Sequence, residues 1–329
     1  MLSGVTMRAL CSGRTSVTEI DFSQVSFFTV GPEQTGQRLD NFLIKHLKGV
    51  PKSRIYRLVR KGEIRINKGR ARADSRIADG DILRIAPIRV AESKDAGEPS
   101  VELRRYLNDH IVFEDEGLLI IDKPSGLAVH GGSGISHGVI EALRAERPDE
   151  RFLELVHRLD RDTSGCLMLA KKRSVLLALQ QSLIRNRIGK TYLALVAHSW
   201  PRGKQTVNAP LLKNQLSSGE RIVRVDARGK PSVTHFEVAK RFKDSTLLKI
   251  KLETGRTHQI RVHCQFAGNP VAGDVKYGDQ GYNQKLQSQG LRRLFLHASQ
   301  LRFEHPLSGD WVDVEAPLPV ALERVLKAL

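Results

Sequence analysis

Apolar residues at helical spacing predict two short helices near the start of the chain. The apolar positions are Leu39, Phe42, Leu43 and Leu47 in the first helix and Ile55, Leu58 and Val59 in the second. Pro51 separates the two helices, and Gly62 is well placed to end the second. Alternating apolar residues at 64–66 and 82–85 predict two strands that follow, so this segment forms a small α/β module.

The chain beyond residue 110 mixes strand-like and helix-like patterns without the regular βαβ succession of a parallel sheet. Extended segments are predicted at 111–113, 118–121, 153–160, 166–170, 190–197 and 247–252. Helices are predicted at 136–147 and 174–186, and a third from a cap at Thr257 through Phe266. This order predicts an α+β domain with a mainly antiparallel mixed sheet.

A composition break predicts the domain boundaries. Residues 91–103 are polar, carry Gly97 and Pro99, and are typical of a linker. We therefore expect a disordered extension at 1–20, a first domain at 21–90 and a second at 104–329. Residues 1–18 contain two arginines and no acid, a pattern that weakly resembles a transit peptide, and disorder is the simpler interpretation.

The charge is unevenly distributed. The chain of 329 residues has a formal net charge of +17, and residues 36–90 hold 15 Lys and Arg against 5 Asp and Glu. Such an excess favours a polyanionic partner, nucleic acid before all others. Apolar runs such as 118–121 are too short to span a bilayer, so no membrane partner is expected.

The cysteines and the motifs that are absent exclude several protein classes. Cys11, Cys166 and Cys264 form no close pair, which argues against a disulfide framework and against a zinc ribbon. A reducing cytoplasm is the expected compartment. The sequence contains no GxxxxGK[ST] loop, so a nucleotide-driven helicase or ATPase is disfavoured.

The second predicted helix carries a basic face. Its cations, which we take as candidate RNA contacts, are Lys52, Arg54, Arg57, Arg60 and Lys61. Two basic helices followed by a short β segment resemble the S-four-type RNA-binding module, over about residues 37–85. That resemblance implies phosphate contact along an RNA backbone. A solvated basic face without a ligand is the alternative interpretation.

The densest polar stretch of the chain is HRLDRDTSG at 157–165, between two apolar strands. The arginines beside Asp160 would keep its carboxylate ionised, and such a carboxylate can act as a nucleophile or a base. Thr163, Ser164 and Gly165 provide a tight turn. An acidic surface turn with ion pairs explains the spacing equally well.

The stretch at 157–165 resembles the second motif of the RluA-type pseudouridine synthases, R-L-D-x-x-T-S-G. Other segments resemble further motifs of that family: KPSG at 123–126, KTYLALV at 190–196, GRTHQIRVH at 255–263, GDVKYG at 273–278 and LHA at 296–298. Their order argues against chance agreement. Together with the S-four-type module, the chain from about residue 20 is similar to the family's large-subunit rRNA enzymes.

The resemblance implies roles for individual residues. Asp160 is the catalytic carboxylate, either in attack on ribose C1′ or in proton removal at C2′. Arg261 is the basic residue that pairs with it, and an arginine fork can engage both carboxylate oxygens. Tyr192 stacks on the target uracil and could assist deprotonation at C5. Arg158 fills the gap left by the flipped base.

The remaining implications concern substrate and partners. We expect Lys123, Arg256 and His258 to contact substrate RNA, with Lys123 shaping the floor of the pocket. The expected partner is 23S rRNA or a large-subunit assembly intermediate, modified at several uridines near the peptidyl-transferase region. The family reaction uses no cofactor and no metal, and a monomer is expected.

Three other functions compete with this interpretation. Asp160 and Asp162 could form a carboxylate pair for glycoside cleavage, although the Thr-Ser-Gly turn makes a shared face doubtful. His157, His258 and His263 could hold a metal, but their spacing matches no metal motif and hydrogen bonding is the simpler role. The chain could also be a non-catalytic ribosome-assembly factor.

Overall fold

The computed structural model describes residues 24–47, 49–88, 97–131, 136–203, 205–215 and 221–329. The chain divides into two compact units, Met1–Ala96 and Gly97–Leu329, which we call the N-terminal unit and the catalytic unit. The extension expected at 1–20 lies outside the described residues. In the described ranges, no helix is long and apolar enough to cross a membrane.

The N-terminal unit packs two helices against a four-stranded antiparallel sheet of order β1-β4-β2-β3. Its elements are β1 (Ser26–Thr29), a 3-10 turn (Pro32–Gln34), α1 (Leu39–His46), α2 (Lys52–Lys61), β2 (Ile64–Ile66), β3 (Gly69–Arg70) and β4 (Ile82–Ile85). Phe42, Ile55 and Leu83 belong to one buried cluster, so the predicted apolar stripes face each other. Gly62 ends α2 with φ of 74°, a left-handed conformation that favours glycine.

The catalytic unit is built on one large sheet with helices around it. Its elements are α3 (Val101–Asp109), β5 (Ile111–Glu114), β6 (Leu118–Lys123), α4 (Val139–Glu146), β7 (Glu154–Leu155), β8 (Ser164–Ala170), α5 (Arg173–Ile184), β9 (Gly189–Ala197), β10 (Thr206–Asn208), β11 (Leu211–Gln215), β12 (Arg221–Val225), β13 (Val233–Arg241), β14 (Ser245–Leu252), α6 (Gln259–Phe266), α7 (Gln280–Ser288), β15 (Leu296–Glu304), β16 (Trp311–Glu315) and α8 (Val320–Ala328).

The main path through this sheet runs β10-β13-β14-β9-β15-β8-β6-β5, with β16 paired to β15 and β7 paired to β8. The β15–β8 pair is parallel, and the other strand pairs of this sheet are antiparallel. The prediction of an α+β fold with a mainly antiparallel mixed sheet is confirmed.

Both faces of the sheet are covered near its centre. On β6, Leu119 and Ile121 pack into one core cluster, whereas Leu118 and Ile120 pack into another on the opposite face. All four side chains are fully buried. A strand buried on both faces has a continuous apolar sequence, and this explains the run at 118–121.

Two of the predicted local features are wrong. Helix α3 begins at Val101, within the stretch predicted as a linker, because the Ser100 hydroxyl accepts a hydrogen bond from the Leu103 amide and caps the helix. Thr257 does not cap α6. The residue before that helix is His258, in a left-handed conformation, and the Gln259 side chain instead accepts from the Arg256 amide.

Candidate active site

The loop that carries Asp160 lies between β7 and β8 and is held at several points. Ser125 donates to the Asp162 carbonyl at 2.7 Å, and the Gly126 amide donates to the Arg161 carbonyl at 2.9 Å. The Thr163 amide donates to the carbonyl of Asp160 itself at 3.2 Å. The motif residues around the carboxylate therefore form a fixed turn.

Gly165 allows the close approach of strands that places this turn. Its φ is 108°, and a Cβ there would lie 2.2 Å from the Ala298 carbonyl oxygen on β15. A larger residue would push β8 away from β15 at their parallel pairing. The glycine of the Thr-Ser-Gly sequence is thus required by packing between strands and by backbone conformation.

Arg261 lies beside Asp160 but is bound most closely to another acid. One guanidinium nitrogen of Arg261 is 3.5 Å from Asp160 Oδ2. Two others donate to Asp274 at 2.6 and 2.8 Å. The guanidinium makes the expected pair of hydrogen bonds to one carboxylate, but that carboxylate belongs to Asp274 and not to Asp160. Arg261 therefore pairs with both acids, held in place by one and directed at the other.

Burial and charge oppose each other in this pair. Burial raises the pKa of Asp274, but the hydrogen bonds and charge of Arg261 outweigh it, so the pKa of that carboxyl is lowered. Burial likewise lowers the pKa of Arg261, and Asp274 and Asp160 raise it further than burial lowers it. Both groups remain charged, which keeps a cation next to the Asp160 carboxylate.

His258 is the second group directed at Asp160. Its φ is 56°, and its Nε2 lies 3.9 Å from Asp160 Oδ2. The Tyr277 hydroxyl accepts from the Val223 amide at 3.0 Å and lies 2.7 Å from His258 Nδ1. This hydrogen bond fixes the orientation of the imidazole ring, with its Nε2 edge toward the Asp160 carboxylate.

The environment of His258 keeps the imidazole neutral. Burial lowers its pKa, and the Arg261 and Lys276 charges lower it further, against an opposing contribution from Asp160. A neutral imidazole adds no second positive charge beside the Asp160 carboxylate. His258 was predicted to contact RNA, and the structure places it between Tyr277 and Asp160.

Tyr192 on β9 forms part of the wall of the same cleft. It is nearly buried, and its backbone pairs with Ile250 and with Ala298 on the two neighbouring strands. Burial raises the pKa of the phenol, with the Asp160 charge adding to the shift. Tyr192 therefore stays protonated near neutral pH, which disfavours a phenolate base and suits a flat stacking surface.

These groups surround one cleft with a volume of about 100 Å³. The described residues that line it are Arg158, Leu159, Asp160, Thr163, Tyr192, Leu252, Gly255, Arg256, Thr257, His258, Gln259, Ile260, Arg261 and Leu296. Arg158 and Arg256 are exposed at its edge, whereas Arg261 is buried. Asp160 is the one carboxylate among these lining residues.

Lys123 is enclosed between loops and does not line the described cleft. Its side chain is fully buried, and its ammonium donates to the carbonyls of Pro124, Leu127 and Arg161 at 2.7 to 3.0 Å. Burial lowers its pKa to about 7, and the Arg293 charge contributes in the same direction. Lys123 holds two loops together beneath the site, and its contact with substrate RNA stays a prediction.

The competing interpretations of this region receive no support from the geometry. Asp162 pairs with the exposed Arg161 at 3.2 Å and does not line the cleft. His157 accepts from the Met168 amide, and His263 is bound to Thr234 and to the Ala209 carbonyl. No group of His, Cys, Asp or Glu in the described ranges could hold a metal ion.

The predicted basic face lies on α2 of the N-terminal unit. Four of its cations are exposed: Lys52, Arg57, Arg60 and Lys61. Arg54 is half-buried. The nearest acid to Lys61 is Glu63, at 4.0 Å, a weak surface pair. This face therefore presents cations to solvent.

Sequence reasoning missed three residues around the cleft. Asp274 and Tyr277 lie in the stretch at 273–278, which resembles a family motif but carries no predicted role, and they orient Arg261 and His258. Lys190 lies two residues before Tyr192 on β9. The only available signal was membership of motif segments, because nothing local shows that Asp274 meets a residue on α6.

Comparison with known families agrees with the motifs. The family model described as RNA pseudouridylate synthase matches residues 117–266, and the S4 domain model matches residues 37–83. Two solved structures share the fold of the catalytic unit. Human RNA Pseudouridylate Synthase Domain Containing 4 is 26% identical with a TM-score of 0.58, over 69% of this chain and 95% of its own. Human RNA Pseudouridylate Synthase Domain Containing 1 is 26% identical with a TM-score of 0.54, over 65% and 86%.

The chain therefore belongs to the RNA pseudouridylate synthase family, and it is an RNA pseudouridine synthase with an S4 RNA-binding domain. Among curated proteins, it is similar to Ribosomal large subunit pseudouridine synthase C. The protein of that name from Yersinia pestis is 54% identical, over 93% of this chain and 96% of the relative. The one from Escherichia coli (strain K12) is 52% identical, over 93% and 97%.

Proposed function

We propose that this enzyme isomerises uridine to pseudouridine in 23S large-subunit rRNA, at several sites near the peptidyl-transferase region. The proposed substrate rests on the extent of similarity between this chain and the curated relatives. The relatives named as large-subunit enzymes match 93% of this chain at 52–54% identity, across both units. Free rRNA and a large-subunit assembly intermediate offer the same uridines.

The reaction requires a carboxylate near the ribose. The bond from C1′ to uracil N1 breaks, the uracil turns within the cleft, C5 joins C1′, and the C5 proton leaves. Asp160 supplies the carboxylate, since no other acid lines the described cleft. Arg261 places a positive charge 3.5 Å from this carboxylate, and His258 Nε2 lies 3.9 Å from the same oxygen.

Asp160 can serve in two ways at this position. It can attack C1′ and form a covalent intermediate, or it can take the proton from C2′. Transcripts deuterated at C2′ distinguish these acts, because only the second breaks the C2′–H bond in its first step. A primary isotope effect supports proton removal, and a rate insensitive to C2′ deuteration supports attack at C1′.

The target nucleotide has to leave its base stack to reach Asp160, since a stacked nucleotide hides its glycosidic carbon. Tyr192 then presents a flat, uncharged ring to the uracil. Arg158, exposed at the edge of the cleft, takes the place of the extruded base, and Arg256 contacts the adjoining backbone. The exposed cations of α2 bind rRNA phosphates and add affinity without reading sequence.

A pseudouridine map of large-subunit rRNA tests the proposal. Cells of the source organism that lack the gene are complemented with the wild type or with Asp160→Asn. We expect a few pseudouridines to be lost on deletion and restored only by the wild type. An unchanged map would contradict the proposed substrate. Restoration by Asp160→Asn would favour the non-catalytic assembly factor instead.

A further inference from the structure

A second cavity adjoins the active-site cleft. Its volume is about 560 Å³, and Arg158, Tyr192, Leu252, Gly255 and Arg256 line both spaces. An RNA strand with a uridine against Tyr192 can therefore continue past these shared residues into the second cavity. The second cavity is large enough to receive part of that strand.

Lys190 brings an uncompensated positive charge to this cavity. It lies two residues before Tyr192 on β9, so both side chains are on the same face of the strand. Its side chain is half-buried and makes no hydrogen bond or ion pair with any residue that the structure describes. Burial lowers the pKa of its ammonium, with no carboxylate opposing the shift. A partly desolvated ammonium without a counterion costs stability.

The other charged residues around the cavity add to this excess of positive charge. Arg158 and Arg256 add two further cations to the lining. Glu253 is the one acid among the lining residues, and its carboxylate already accepts from His235 Nε2 at 2.7 Å. Three cations thus face a single, occupied carboxylate, an arrangement that favours an anionic ligand.

One wall of the cavity is apolar. Leu183 and Ile184, at the end of α5, line it together with Val156 and Leu252. Ile184 is 74% exposed, an unusual exposure for an isoleucine beside a cationic cavity. Aliphatic side chains of this kind provide contact area for a ribose or an unstacked base, whereas a free inorganic anion would make no use of them.

We propose that this cavity binds the nucleotide next to the target uridine on the same RNA strand, with its phosphodiester on Lys190 and its sugar and base along Leu183 and Ile184. The proposal rests on the proposed function and extends it from the reacting base to its neighbour.

The first experiment measures binding of an in vitro 23S rRNA transcript by the full-length wild type, Lys190→Gln and Lys190→Arg over a range of KCl concentrations. We expect Lys190→Gln to make the slope of log affinity against log salt shallower by about 0.7, the value for one phosphate of a single strand. Lys190→Arg should keep the wild-type slope. A slope unchanged in Lys190→Gln would overturn the proposal.

Lys249→Gln is the matched control. Lys249 is exposed on β14, and the register that pairs Ile250 with Tyr192 places Lys249 on the opposite face of the sheet. It should keep the wild-type slope. The melting temperature separates binding from structure, because Lys190→Gln removes an unpartnered ammonium and should not lower it. A fall in melting temperature together with an unchanged slope would assign Lys190 a structural role.

The second experiment locates the phosphate. Once a target uridine is mapped, short RNAs carry an uncharged methylphosphonate at the linkage on its 5′ side or its 3′ side. One of these should weaken binding by the wild type roughly tenfold and have no further effect on Lys190→Gln. Equal weakening of both proteins at both linkages would overturn the contact. Activity of the wild type on the unmodified RNA shows independently that the proposed function holds.

Discussion

The N-terminal unit keeps its cations on the surface, whereas the catalytic unit buries charged groups and pairs them. On α2, Arg57 and Arg60 point away from an apolar core and are exposed. In the catalytic unit, Arg261 and Asp274 are bound to each other out of solvent, and Lys123 is fully enclosed. An exposed cation can exchange counterions for phosphates, while a buried one holds another group at a fixed distance.

The difference follows from what each unit does. Backbone recognition of RNA tolerates mobile side chains, because every phosphate carries the same charge. Catalysis requires a carboxylate that stays anionic and stays in place, and this depends on neighbours that do not move. Variants of both units can test this contrast, and the effects we expect decrease from the active-site carboxylate to the basic face of α2.

The largest effect is expected at Asp160. Asp160→Asn removes the carboxylate charge of the proposed catalytic residue and should lower the rate of pseudouridine formation on an rRNA transcript by at least about 10³-fold. RNA affinity should change little, because the N-terminal unit is intact. Asp162→Asn is the control, since Asp162 lies outside the cleft lining. Comparable losses in both variants would revive the carboxylate-pair interpretation.

Breaking the buried pair of Arg261 and Asp274 should lower the stability of the protein as well as its activity. Asp274→Asn leaves the buried Arg261 guanidinium with only the more distant Asp160 carboxylate, at 3.5 Å, and should lower the free energy of unfolding by about 3 kcal/mol. The matched control is Asp244→Asn, which breaks the exposed pair with Lys285 in the same unit and should have a much smaller effect. Chemical denaturation of the three proteins measures both. Equal losses would show that burial does not distinguish these pairs.

The pH dependence of stability provides a further test. Burial lowers the pKa of His157 to about 4, with the Lys190 charge contributing. The unfolded chain binds this proton near pH 6.5 and the folded chain only near 4, so stability is lost as pH falls across that window. The loss from His157 alone is about 3 kcal/mol.

His157→Gln isolates this contribution, because the amide oxygen can still accept from the Met168 amide but does not titrate. The free energy of unfolding, measured at several pH values between 6.5 and 4, should decrease less with falling pH for the variant than for the wild type. Parallel curves would mean that His157 titrates alike in the folded and unfolded chains.

The orientation of His258 predicts a smaller effect, on the rate of the reaction. Tyr277→Phe removes the hydroxyl that is hydrogen-bonded to His258 Nδ1, which releases the imidazole ring from its fixed orientation. We expect kcat to fall about tenfold with little change in KM. Tyr282→Phe removes a hydroxyl bound to Ser245, which lies outside the cleft lining, and should leave kcat unchanged. A pure KM effect in Tyr277→Phe would argue against a role for Tyr277 in orienting His258.

The smallest effect on the chemical step is expected on α2. Replacing Arg57 and Arg60 together with Gln should make the salt dependence of RNA affinity shallower by about 0.9 for each duplex phosphate that the variant no longer binds. The kcat at saturating RNA and the melting temperature should not change. Arg324 and Lys327 have the same i, i+3 spacing on α8, are also exposed, and serve as the double control. An equal change in both double variants would remove any special role for α2.

Much of the architecture could be predicted from local patterns. The stripes that include Leu39 and Ile55 specify α1 and α2, and the continuous run at 118–121 becomes a strand buried on both faces. These predictions succeeded because the period of apolar residues directly reports which face is buried. Helix α3 was missed because its exposed, polar sequence carries little of that signal and depends on a cap at Ser100.

The sequence predicted several residues that belong to the candidate site but not how they are arranged there. Asp160, Tyr192 and Arg261 do line one cleft, as the motif order implied. The partner of the Arg261 fork was not predictable, because both Asp160 and Asp274 are acids within motif segments. Only the packing of α6 against the loop after it determines which carboxylate takes two hydrogen bonds.

The sequence by itself determined the fold class, the family and several residues of the cleft, among them Asp160, Tyr192 and Arg261, since each is written in short-range periodicity or in motif segments. The tertiary structure decided the position and the partners of each of those residues. It places Lys123 beneath the site, aims His258 Nε2 at Asp160, and leaves Lys190 without a counterion among the described residues. Each of these depends on burial and on partners distant in the chain, because the cost of a charge is set by its surroundings and not by its neighbours in sequence.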